Sequence, residues 1–114
     1  MDGFEERAQS IMDEILLKMR DHFKCGENYI KMHNLEIRPN DDLSFKFETY
    51  LNKEGFGSNE LIHQENIFLE MKRSRKEVIF FNEKPYKYPE DVNELFEDIR
   101  LYLKNKMNNY ARRR

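Results

Sequence analysis

The most constraining feature of the sequence is a change in the spacing of its apolar residues, from three and four near each end of the chain to two in the middle. Apolar side chains that recur every three or four residues share one face of a helix, whereas alternation places them on one face of a strand. The pattern therefore predicts an α+β fold in the order α-β-β-β-β-α, with an antiparallel sheet of three to four strands between two helices.

Helical spacing is clearest over residues 3–24, where Gly26 follows as a stop signal. The apolar stripe of this segment consists of Phe4, Ala8, Ile11, Met12, Ile15, Leu16, Met19 and Phe23. A second helix is predicted to begin at Pro89, because proline is favoured at the first helical position. We expect Ile15 and Phe96, each central to the stripe of its helix, to lie in the core.

Strands are predicted where apolar and polar residues alternate or where a short apolar run occurs. Residues 43–51 alternate most regularly, and residues 67–72 and 78–81 give two further strands. Residues 73–76, Arg-Ser-Arg-Lys, form the predicted hairpin turn between the last two. A fourth strand over residues 29–38 is less regular, because both of its alternating sets mix apolar with polar side chains.

The composition fits one compact unit. At 114 residues the length favours a single domain over residues 1–114, with room for disorder in the last few residues. Charged residues make up 37% of the chain, so much of it must be solvated surface, but nine Phe and six Tyr supply large groups for a core. A single cysteine and the lack of a long apolar stretch lead us to expect a cytoplasmic protein without membrane association.

The sequence carries no recognisable catalytic or metal-binding motif. Its soft metal ligands are His22, Cys25, His33 and His63, and they do not form the two tight pairs of a structural zinc site. No spacing encodes a nucleophile beside a histidine and a carboxylate, and no glycine-rich phosphate loop is complete. We therefore expect no metal and no cofactor and we favour a non-catalytic protein, although a site assembled by folding stays open.

Aromatic residues on the polar side of the predicted sheet give the leading functional hypothesis. Tyr50 and Phe68 alternate with the apolar set, and either Ile79 or Phe81 must join them. If one helix covers each face of the sheet, or if a loop covers the rings, these rings are core. If both helices cover the same face, the rings are exposed, and the chain is a protein-binding or regulatory domain, expected to be homodimeric, that acts through Tyr50, Phe68 and Phe81.

Basic residues give an alternative hypothesis of nucleic-acid binding. The residues concerned lie at the hairpin tip and at the end of the chain: Lys72, Arg73, Arg75, Lys76, Arg112, Arg113 and Arg114. Such clusters can bind phosphates, while nearby rings stack on bases. The formal net charge is only -2, from 20 basic and 22 acidic residues, so the chain lacks the overall positive field of a dedicated nucleic-acid binder. In the other interpretation, these basic residues only keep a turn and a chain terminus solvated and bind no nucleic acid.

Overall fold

A computed structural model of the chain describes residues 3–22, 30–33, 36–52 and 61–112, without the side chains of residues 50–52, 61–64 and 107–112. The elements are α1 (Gly3–His22), β1 (Ile30–Met32), β2 (Glu36–Ile37), β3 (Leu43–Asn52), β4 (Leu61–Lys72), β5 (Arg75–Phe81), β6 (Lys84–Lys87) and α2 (Val92–Arg112). The predicted α+β order of helix, antiparallel sheet and helix is confirmed. Within the described residues the sheet has six strands rather than three or four.

The sheet is built on the long hairpin of β3 and β4. Its strands follow the order β1-β3-β4-β5-β6, with β2 also paired to β3, and every neighbouring pair is antiparallel. In β3 and β4 the register runs from Leu43 opposite Met71 to Thr49 opposite Glu65, with apolar residues facing apolar residues. From β2 onward, strands that follow one another in the chain lie side by side, as short connections favour.

The irregular segment predicted as one strand forms two. Met32 pairs with Phe47 and Glu36 pairs with Ser44, so four residues on one side span three on β3. Because of this one-residue shift, even-numbered residues of β1 and odd-numbered residues of β2 point to the same face of the sheet. It explains why neither alternating set in this segment is uniformly apolar.

The strand β6 was not predicted, because its signals are atypical. It follows a two-residue turn, Asn82 and Glu83, in which both residues have positive φ, 50° and 69°. This is the geometry of a type I′ hairpin turn, which usually carries a glycine. The strand itself contains Pro85, which a sheet accepts at its edge, and β6 is the terminal strand.

Both helices pack on the same face of the sheet and form one core with it. The core includes Ala8, Ile11, Met12, Ile15 and Met19 of α1, Val92, Leu95, Phe96, Ile99 and Leu103 of α2, and Leu43, Phe45, Phe47, Ile67, Leu69, Met71, Ile79, Phe81 and Tyr86 of the strands. The predicted burial of Ile15 and Phe96 is confirmed. Of the helix placements that the sequence left open, the structure has the one with both helices on the same face.

The start of α2 differs from the prediction by three residues. Pro89 follows a cis peptide bond and lies in a turn, and the helix begins at Val92. Asp91 is the capping residue, since its carbonyl accepts the first helical hydrogen bond from Leu95 N–H at 2.9 Å. Its carboxylate accepts a hydrogen bond from Lys87 N–H at 2.9 Å, which closes the turn against β6.

A polar cluster joins β6 to α2. The Lys84 ammonium contacts Glu94 at 2.9 Å and Asp98 at 3.0 Å, and the Tyr86 hydroxyl donates to Asp98 at 2.5 Å. Burial, followed by the bond to Asp98, raises the pKa of Tyr86 to about 12. The hydrogen bonds from Tyr86 and Lys84 hold the pKa of Asp98 below its usual value. The ionised carboxylate therefore favours the docked position of the edge strand.

Replacing Ile15 by Ala should lower the free energy of unfolding by about 2 to 5 kcal/mol, because a fully buried side chain leaves a cavity. Denaturant titration measures the loss. Leu17→Ala on the same helix is the matched control, since Leu17 is 65% exposed and its truncation should change stability by less than about 0.5 kcal/mol. Equal losses in the two variants would contradict the assigned face.

The charge of Asp98 should contribute stability that depends on pH. Because the folded pKa lies below the unfolded one, the contribution is complete above the unfolded pKa and is lost as the pH falls through the folded pKa. Asp98→Asn keeps an acceptor oxygen and removes the charge, so it should cost roughly 1 kcal/mol at neutral pH. Urea titrations should show this difference shrinking below about pH 4. A difference that is constant with pH would contradict the prediction.

Candidate functional site

The side of the sheet opposite the helices, here called the outer face, is the candidate site. In the described chain its side chains alternate with the core residues and pair with one another across the strands: Lys31, Glu36, Ser44, Lys46, Glu48, Asn66, Phe68, Glu70, Lys72, Arg75, Val78, Phe80, Pro85 and Lys87. Neither α1 nor α2 covers this side, since the buried stripes of both lie in the core.

Phe68 lies near the middle of the outer face. It is on β4 opposite Lys46, and its ring is 46% exposed, although its neighbours in sequence, Ile67 and Leu69, are fully buried. Strand alternation alone accounts for this contrast. Phe68 is therefore where the sequence places it, on the polar side of the strand. Tyr50 lies in β3 opposite Gln64, but its side chain is outside the part that the structure describes.

Phe81 does not belong to the outer face. Only 5% of the residue is exposed, and its ring packs edge-on against Tyr102 of α2, with the ring centroids 5.6 Å apart. Ile79, the other candidate, is also core. The run 78–81 is apolar throughout, so the sequence does not show which of its residues face the helices. The pairing of Ile79 with the core residue Met71 decides it.

Phe80, and not Phe81, is the phenylalanine of β5 that lies on the outer face. It pairs with Glu70 on one side and Pro85 on the other, both on the outer face. The Lys72 Nζ atom lies 4.5 Å from the centre of the Phe80 ring, and the Arg75 guanidinium carbon lies 5.5 Å from it. These cations and their aliphatic stems cover the ring, which leaves Phe80 buried and Phe68 exposed beside it.

A shallow cleft lies between the two rings. Its volume is about 690 Å³, and it is lined by Phe68, Glu70, Lys72, Phe80, Asn82 and Glu83. The lining combines aromatic surface with charges of both signs. A surface with an apolar centre and a mixed polar rim is typical of protein interfaces.

The predicted basic cluster of the hairpin divides between two sides of the sheet. Lys72 and Arg75 lie on the outer face against Phe80, whereas the Arg73 guanidinium lies over the ring of Phe4 at 4.8 Å, at the start of α1. Lys76 lines a pocket together with Arg73. The hairpin residues therefore do not form one continuous patch.

The side chains of the three terminal arginines lie outside the part of the chain that the structure describes. Arg112 is the last residue of α2, but its side chain is outside the described part, as are Arg113 and Arg114. Their nucleic-acid role stays a prediction.

The charges of the outer face are balanced along the two central strands. On β3, Lys46 is followed on the same face by Glu48, and on β4, Glu70 is followed by Lys72. Glu48 also contacts His33 at 2.8 Å. A phosphate backbone that crossed the sheet would meet carboxylates as well as lysines. The two central strands therefore do not present a continuous positive track.

The described residues hold no group of three or more histidine, cysteine or acidic side chains placed for one metal ion. His22 packs on Phe96, with 5.2 Å between ring centroids, and contacts Glu97 at 3.3 Å. His33 lies elsewhere, beside Glu48. Cys25 and the side chain of His63 are outside the described part.

Of the helices described here, neither has the length and apolar character that crossing a membrane requires. Comparison of the chain with protein-family models, with curated proteins and with solved structures finds no match.

Proposed function

We propose that this chain is a non-catalytic protein-binding domain of the cytoplasm that associates with a second copy of itself through the outer face. The observation that carries the proposal is the half-exposed ring of Phe68 at the middle of a sheet face that neither helix covers. A contiguous apolar patch on a protein surface commonly marks an association site, and Phe68 and Phe80 line one cleft of this face. A regulatory role would follow if the paired and single forms bind different targets.

Charges of both signs on the central strands support a second copy as the partner. Lys46 and Lys72 lie there beside Glu48 and Glu70, so lysines of one copy can lie against glutamates of the other. Most homodimers have twofold symmetry, in which the same surface is used on both sides. A residue near the twofold axis then contributes to the interface from both copies. The central position of Phe68 on the outer face suits that role.

The expected energetic contribution is modest and measurable. Fully burying a phenylalanine stabilises by roughly 1.5 to 3 kcal/mol, and Phe68 has about half of its surface left to bury. Two rings in a symmetric dimer would together contribute about 2 kcal/mol. Each 1.4 kcal/mol corresponds to about a tenfold change in Kd, so loss of both rings should weaken the dimer roughly 30-fold.

Phe68→Ser should shift the chain from dimer to monomer while the fold is kept, because the ring contributes to association and is not core. Sedimentation equilibrium over a concentration range measures the Kd, and far-UV circular dichroism reports the fold. Leu101→Ser on α2 is the matched control, since Leu101 is 58% exposed but lies away from the outer face. The control should remain dimeric. A monomeric wild type, or equal weakening by both variants, would overturn the proposal.

A second candidate function is binding of single-stranded nucleic acid, favoured by the two cations at Phe80. Lys72 and Arg75 hold positive charge on the same face as the exposed ring of Phe68, and ring stacking combined with phosphate contacts is how such strands are bound. Titration of a labelled oligonucleotide into wild type and Lys72→Ala should then show binding that falls steeply as salt rises. Unchanged binding in Lys72→Ala, or none at low salt, would exclude this role for the face.

A further inference from the structure

The strand β4 extends well beyond its neighbour β5. Its pairing with β5 covers only residues 70–72, whereas on the other side its pairing with β3 continues to Leu61. Among the described strands, none pairs with residues 63–67 on the β5 side. This stretch, here called the β4 edge, contains no proline, unlike the terminal strand β6. Its backbone can therefore accept a further strand.

The hydrogen bonding of β3 shows which backbone groups of the β4 edge are open. On the far side of β3, His33 N–H donates to the Lys46 carbonyl at 2.8 Å, so even-numbered residues of β3 direct their N–H and C=O groups away from β4. Odd-numbered residues of β3 therefore bond to β4, and each of them lies opposite an odd-numbered residue of the β4 edge. The N–H and C=O groups of Gln64 and Asn66 are left on the open side.

The cleft of the outer face lies at one end of the β4 edge. Phe68 follows the edge along β4, and Asn82 and Glu83 turn the chain from β5 into β6 beside it. All three residues line the cleft. A strand laid along the β4 edge would end against this turn. Its side chain opposite Asn66 would be a diagonal neighbour of Phe68 on the outer face, within reach if it is long.

The charge of this cleft is negative. Glu70 and Glu83 supply two carboxylates, and Lys72, whose ammonium lies 4.5 Å from the centre of the Phe80 ring, supplies the one cation among the described lining residues. Within the described part of the chain, neither carboxylate takes part in an ion pair. A cationic side chain entering the cleft would meet both carboxylates and the half-exposed ring of Phe68.

We infer that the β4 edge binds an extended segment of a partner protein, which joins the sheet as a further antiparallel strand and carries a lysine or arginine beside Phe68. The main chain of the segment exchanges hydrogen bonds with Gln64 and Asn66. Its cationic side chain lies between Glu70 and Glu83 in the cleft. The backbone groups of the β4 edge point sideways in the plane of the sheet, so the inference does not rest on association through the outer face.

Synthetic peptides test the inference on the unmodified chain. The probe is Val-Arg-Val-Thr-Val-Thr with a fluorescent label at its C-terminus, and its arginine is placed opposite Asn66. An N-methyl group on the fourth peptide residue removes an N–H that bonds to β4, whereas one on the third removes an N–H that points away. The first should weaken binding about tenfold or more, and the second by less than about twofold. No binding of the probe, or equal weakening by the two methyl groups, would overturn the inference.

Charge-neutral variants test the cleft. Glu70→Gln with Glu83→Gln should weaken binding of the arginine probe about tenfold and leave unchanged the binding of a probe with threonine in place of arginine. Glu6→Gln with Glu90→Gln removes the same charge from exposed positions away from the outer face and is the matched control. Equal losses in the two double variants would overturn the assignment of the cationic side chain to the cleft.

Asn66→Pro tests the backbone of the β4 edge. Proline lacks an N–H, and the N–H of Asn66 is on the open side, so this variant should keep its far-UV circular dichroism and bind the probe about tenfold more weakly or worse. Asn66→Ala keeps the N–H and should bind as the wild type does. The methylated probes do not depend on the folding of either variant. Self-association lost in Asn66→Pro but kept in Asn66→Ala would place a second copy on the edge and overturn the assignment to a partner segment.

Discussion

The pairing of β3 with β4 is the constraint on which the rest of the structure depends. From Leu43 opposite Met71 to Phe47 opposite Ile67, every second cross-strand pair is apolar on both sides. A slip of one residue would turn that entire set to solvent, so burial of one face holds the register firmly. With the register fixed, one face attracts the stripes of both helices, and the other is left to Phe68, lysines and glutamates.

Much of this architecture could be predicted from the chain because strong periodicity carries it. The helices and the central strands have regular stripes, and these led to Ile15, Phe96 and the outward position of Phe68. The strand β6 and the division between β1 and β2 were not predicted, because they depend on backbone features that leave no apolar periodicity in the sequence. β6 follows a type I′ turn that has no glycine, and β1 and β2 are separated by a register shift that makes their alternation irregular.

In the candidate site, too, regular alternation made one ring predictable and a uniformly apolar run left the others undecided. Phe68 lies in a strand that alternates, so its direction could be read from the sequence, whereas Phe80 and Phe81 lie in a uniformly apolar run. The bulge between Arg75 and Ile79 sets which of the two rings turns outward, and only pairing with β4 reveals it. In the neighbouring hairpin, Arg73 lies over Phe4 of α1, whereas Lys72 and Arg75 lie over Phe80. A contiguous basic run in the sequence thus serves two different surfaces in the fold.

Pro85 has a consequence for how large an assembly of this chain can become. A sheet that ends in an unpaired strand can recruit strands from further copies one after another, which leads to open-ended polymers. Pro85 is in the terminal strand β6 and has no N–H to offer, and β6 is only four residues long with a lysine at each end. Growth along this edge is therefore blocked. If two copies associate through the outer face as proposed, a twofold pair uses that face on both copies, and the β6 edge offers no route to further growth.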